Sequence, residues 1–139
     1  GAGDDRVIGG GGSDFISGDQ GIDNLLGLAS ADIIYGGDGD DTIYGHNTLY
    51  EADGNNSLYG GAGNDSIYGA GGADFIDGDQ GNDTIFGKGG ADNLFGGEGN
   101  DNIQGEDGDD VLNGEGGADV MQGGIGNDWL YGGGGVDNI

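Results

Sequence analysis

Cysteine is absent from this sequence, and basic residues are nearly so: Arg6 and Lys88 stand alone among 139 positions. Without cysteine there is no disulfide framework, thiol chemistry or zinc-thiolate site. Two cations make no basic patch to grip nucleic acid. The single histidine, His46, cannot build a histidine metal cluster or a conventional catalytic triad, and its place in a loop reads as solvated. No apolar run approaches the length that spans a bilayer. What remains is acid and glycine. Asp and Glu total 27, giving a net charge of −25, and 40 residues are glycine. Glycine at that density costs too much entropy for a helical globule. Composition alone describes an acidic disordered chain.

The order of the residues overturns that description. A nine-residue period runs along nearly the whole chain. Its clearest unit is Gly60-Gly61-Ala62-Gly63-Asn64-Asp65-Ser66-Ile67-Tyr68, and the segments 36–44 and 96–104 repeat it. Sixteen units align, of which two are clipped by the chain ends and one, 45–50, is three residues short. The first position is glycine except at Glu51, and the fourth is glycine except at Ser30. The sixth position holds Asp5, Asp14, Asp23, Asp32, Asp41, Asn47, Asn56, Asp65, Asp74, Asp83, Asp92, Asp101, Asp110, Asp119, Asp128 and Asp137. The eighth is always apolar, from Val7 and Ile16 through Leu49 and Leu58 to Leu130 and Ile139.

Such a unit reads as a six-residue turn followed by a three-residue strand. Glycine permits positive φ and close backbone approach in the turn. Alternation along the strand sends the eighth residue to one face and the seventh and ninth to the other. One apolar residue in nine is buried only if successive strands stack and share a core. Two nonapeptides then form one coil, and the expected fold is all-β: a flattened parallel β-roll of about eight coils, formed by residues 1–139 as a single array. At ~4.8 Å per strand the rod is roughly 35–40 Å long. The 45–59 stretch is expected to be irregular. Counting the short unit as half a coil keeps Leu49 and Leu58 in the core.

Stacking also lays the sixth-position carboxylates over one another along two edges. Left unneutralised, they drive the coils apart. A hard cation between consecutive turns converts that repulsion into a cross-link, and oxygen-only donors on a flexible loop suit Ca²⁺ better than Mg²⁺ or a transition metal. The candidate ligands are the fourteen sixth-position Asp side chains together with turn carbonyls such as those of Gly36, Gly39, Gly60, Gly63, Gly96, Gly99, Gly123 and Gly126. Eight stacked turns on two edges leave fourteen gaps. Four touch Asn47 or Asn56, so about ten to fourteen ions are expected, with weak positions at the two Asn. Paired carboxylates such as Asp40-Asp41 recur at repeat positions and read as turn ligation rather than acid–base catalysis. No active site is expected.

The repeat units resemble the glycine-rich nonapeptide of the RTX (repeats-in-toxin) family along essentially the whole chain. That resemblance implies a calcium-binding parallel β-roll, found in proteins exported by bacterial type I secretion and acting outside the cell. Two roles follow from it. One is a structural tract of a long adhesin, surface-layer or fibre protein; the other is a calcium-triggered folding module attached to a secreted enzyme or toxin. The unbroken run of units favours the first. A chain that begins and stops inside a repeat is expected to be a piece of a longer protein. The ninth-position residues are expected on two outward faces, Tyr35, Tyr50, Tyr68 and Phe86 on one and Leu26, Tyr44, Tyr59, Asp77 and Phe95 on the other. They stabilise the sheets or serve lateral self-association.

Overall fold

A computed structural model describes residues 1–46 and 54–139. Among the described residues, fourteen repeats contribute one strand each: β1 (Arg6–Gly11), β2 (Phe15–Gln20), β3 (Asn24–Ala29), β4 (Ile33–Asp38), β5 (Thr42–Tyr44), β6 (Ser57–Ala62) and β7 (Ser66–Gly71). The series continues with β8 (Phe75–Gln80), β9 (Thr84–Gly89), β10 (Asn93–Glu98), β11 (Asn102–Asp107), β12 (Val111–Gly116), β13 (Val120–Ile125) and β14 (Trp129–Tyr131). Odd strands form one parallel seven-stranded sheet and even strands the other, each in sequence order. Two stacked parallel sheets with alternating entry make a solenoid of about seven coils, as the period requires.

Most strands are six residues long rather than the expected three. Pairing skips the first-position glycine and resumes after it, as Gly10 with Leu28 and Gly11 with Ala29 illustrate. The second position bends the chain there at positive φ even where the residue is not glycine, for example Asp19 (78°), Leu28 (77°) and Glu106 (75°). The fourth position has less freedom. Gly81 has φ +135°, and a methyl group on it would overlap the carbonyl oxygen of Gly63 in the coil before.

The core is the double row of eighth-position side chains. Leu25, Ile34, Ile43, Leu58, Ile67, Ile76, Ile85, Leu94, Ile103 and Leu112 are fully buried, with Ile16 and Met121 capping the row and Val7 and Leu130 packed partly against it. Each side chain sits on its equivalent one coil away, so the core is one long contact with no centre.

The break departs from expectation. Ile34 pairs directly with Leu58, and Ile43 with Ile67, so both sheets step by 24 residues there instead of 18. The short unit is therefore not half a coil, and the described residues supply fifteen rungs. Leu49, Asn47, Tyr50 and Glu51 lie outside the described residues. The changed step also re-sorts the outer faces. Tyr35 and Tyr59 stack at 4.7 Å on the even sheet, while Tyr44, Tyr68 and Phe86 stack at 4.8 and 5.2 Å on the odd one. Nor is His46 solvated: it is buried beside the break.

Candidate metal centre

The turns between strands bring the sixth-position carboxylates into two ladders, one per edge. Asp5, Asp23, Asp41, Asp65, Asp83, Asp101 and Asp119 precede odd-sheet strands, and Asp137 extends their row beside the Val120–Asn138 bridge; Asp14, Asp32, Asn56, Asp74, Asp92, Asp110 and Asp128 precede even-sheet strands. Within a ladder every residue makes the same contact. The backbone N–H of Asp23 donates to Oδ1 of Asp41 at 2.8 Å, that of Asp41 to Asp65 at 2.7 Å, and that of Asp65 to Asp83 at 2.7 Å. The other edge repeats it from Asp74 to Asp92 at 2.8 Å and from Asp92 to Asp110 at 2.9 Å. One carboxylate oxygen thus stitches each coil to the one before it.

The second oxygen is left over. Oδ2 of Asp23, Asp41, Asp65, Asp83, Asp92, Asp101, Asp110 and Asp119 is buried without a hydrogen-bond donor. It lies against the α-carbon of the first-position glycine of its own turn. A methyl group on Gly18 would overlap Oδ2 of Asp23 and approach the Gly36 carbonyl oxygen, one coil on, to 2.6 Å. The same cradle recurs at Gly78 with Asp83 and the Gly96 carbonyl, and at Gly105 with Asp110 and the Gly123 carbonyl. The expected first-position carbonyls, Gly36, Gly60, Gly96 and Gly123, are therefore brought beside carboxylate oxygens. Those of Gly39, Gly63 and Gly99 instead lie under the fourth-position glycines of the next coil, and Gly126 rests on the Gly108 carbonyl in the same way.

Burial without a counter-charge shows in the acidities. Desolvation, opposed by the backbone N–H and reinforced by neighbouring carboxylates, pushes Asp65 up to about 7 and Asp83 and Asp101 to about 6. Asp92 is likewise raised to about 6, again mainly by burial. Asp41 and Asp110 move in the same direction for the same reason. The coils at the ends are more open: Asp5, Asp14, Asp128 and Asp137 are half-buried, and Asp5 forms an ion pair with the N-terminal amine at 3.1 Å.

These orphaned oxygens fit a hard cation and little else. All the donors are carboxylate or carbonyl oxygens, which excludes a soft-metal preference. Among the described residues no three His, Asp or Glu side chains converge. Any ion must then take most of its ligands from turn carbonyls, which is Ca²⁺ chemistry on a flexible loop.

A further ladder was not foreseen from the sequence. Fifth-position side chains stitch in the opposite sense: Asn64 Oδ1 accepts from the N–H of Asn82, Asn82 Oδ1 from Asn100, and Asn100 Oδ1 from Ala118, each at 2.8–2.9 Å. Asp4, Asp40, Asn55 and Asp109 make the equivalent contact. The signal was the recurring Asn or Asp just before the sixth position, interrupted by residues such as Ala73 and Ala91 that carry no acceptor.

A glycine-turned parallel β-solenoid with stacked carboxylates at all but one of its described bends is a repeat module whose turns, not its core, carry the chemistry. The model of the RTX calcium-binding nonapeptide repeat matches residues 1–25, 17–47, 52–85, 86–121 and 114–139. The chain belongs to that family of calcium-binding repeats. No curated protein matches the chain.

Proposed function

We propose that the sixth-position carboxylates hold Ca²⁺ between consecutive turns, through Oδ2 of each Asp and carbonyls such as that of Gly36, and that this binding drives folding. The observation that carries the reading is the buried Oδ2 row: carboxylate oxygens such as those of Asp65, Asp83 and Asp101 with no donor and no counter-charge. Bound calcium supplies the divalent charge that this row lacks. The register gives six gaps between rungs on the even edge and seven on the odd edge, thirteen in all, within the ten to fourteen ions expected.

Because the site exists only when two coils are stacked, metal-binding energy is folding energy. Extracellular calcium modules bind at ~10⁻⁴–10⁻³ M, above cytosolic levels. The chain then stays unfolded in the cell, passes an export channel as in type I secretion, and folds outside. The rod of uniform coils suits a spacer in an adhesin, surface-layer or fibre protein. Circular dichroism in chelator and then in millimolar Ca²⁺ tests the coupling; a β-rich spectrum that survives chelation overturns it. Pulling single molecules between handles at the two ends tests the spacer role. Calcium-dependent resistance to force is expected, and extension at equal force with and without calcium refutes it.

A further inference from the structure

One rung of the even-edge ladder differs from all the others in chemistry. Asn56 stands where the other described rungs have Asp, and its orientation is fixed by what surrounds it. Its Oδ1 accepts the N–H of Asp32 at 2.9 Å, as every sixth-position Oδ1 does. The amide nitrogen must then occupy the place of Oδ2. It does so: a methyl group on Gly45 would meet Nδ2 of Asn56 at 2.6 Å, and the Gly69 carbonyl oxygen lies against the same point. Nδ2 also donates to the Gly54 carbonyl at 3.3 Å.

Elsewhere in the ladders this place holds a carboxylate oxygen facing the next coil. Here it holds a hydrogen-bond donor. The two gaps that touch Asn56 are consequently not equivalent. Between the Asp32 and Asn56 turns, Asp32 Oδ2 and the Gly45 carbonyl are still brought together beside Gly27. Between the Asn56 and Asp74 turns, N–H groups point where a cation's ligand belongs.

The geometry points to a single cation-free gap, between the Asn56 and Asp74 turns, that divides the even-edge ladder while the odd-edge ladder runs through unbroken. This inference rests on the calcium reading of the other rungs. Two features of the break agree with it. The extra six residues of the 24-residue step enter in this same turn, between Gly45 and Asn56. And both 24-residue steps are closed by stacked tyrosines, Tyr35 on Tyr59 and Tyr44 on Tyr68. The coil is thus held by an amide and rings at the one place where it lacks a cation.

The test is calcium stoichiometry by equilibrium dialysis together with the calcium midpoint of folding. Asn56→Asp should raise the stoichiometry by one ion per chain and lower the midpoint. Asn127→Asp, which adds the same charge at an exposed fifth position, should leave the stoichiometry unchanged. Asp92→Asn, in the same ladder, should lower it by one. An Asn56→Asp protein that binds no additional ion overturns the inference, as does anomalous density for calcium between the Asn56 and Asp74 turns of the parent. A parent that binds no calcium at all sinks the calcium reading itself and is distinguished by that result. Should Asp92→Asn fail to fold, the parent's anomalous map still decides.

Discussion

Replacing Asp65 with Asn should have effects of opposite sign with and without calcium. In the folded chain burial raises Asp65 to about 7, against 3.8 for a free side chain. A shift of about three units corresponds to about 4 kcal/mol of preference for the protonated form, or on the order of 2 kcal/mol after solvent screening. Because the folded value lies above the unfolded one, this carboxyl favours folding below pH 3.8, and that contribution is lost as pH rises through 7. Asp83, Asp92 and Asp101, raised to about 6, add penalties of the same sign and slightly smaller size. Together they approach the roughly 5–15 kcal/mol that stabilises an ordinary domain. Metal-free protein, prepared over a chelating resin, should therefore be disordered at pH 8 and gain β structure as pH falls from 7 towards 5. Asp65→Asn removes the largest of these penalties, and Asn56 shows that an amide fits the place. The variant should be more stable than the parent by ~2 kcal/mol without calcium at pH 8, yet bind one ion fewer and need more calcium to fold fully. The pH midpoint of folding by circular dichroism in metal-free protein, and urea melts with calcium, measure both arms. Metal-free parent fully folded at pH 8, or an Asp65→Asn chain less stable than the parent in both conditions, would refute the reasoning.

The other predictions concern the scaffold. Ile76→Ala, at a fully buried rung, should cost ~2–5 kcal/mol in calcium-saturated urea melts. Gly81→Ala should raise the calcium midpoint sharply, because its methyl meets the Gly63 carbonyl; Gly89→Ala, whose nearest neighbour lies 3.9 Å away, should leave the midpoint nearly unchanged. Tyr68→Ser breaks stacks with both Tyr44 and Phe86 and should cost about 0.5–1.5 kcal/mol per pair. If the rings instead mediate self-association, sedimentation will show a calcium-dependent dimer in the parent that this variant loses.

The sequence by itself determined the repeat, the all-β solenoid and the residues that line its core and edges. A nine-residue period with one apolar position admits few other ways to bury that position, so Ile67 and Asp65 were assignable without coordinates. Spacing alone could not say which carboxylate oxygen stitches coils together and which is left over, since that depends on where the next coil's N–H falls. Nor could it decide the register at the break. A six-residue remnant ending in Leu49-Tyr50 has the look of a strand, and only the direct pairing of Ile34 with Leu58 shows that the ladder passes over it. That one step moved Tyr59 beside Tyr35 and Tyr68 beside Tyr44. It also made Asn56 the rung that follows Asp32. Period is a local property of the chain, whereas register is settled by which strands find each other across the sheet.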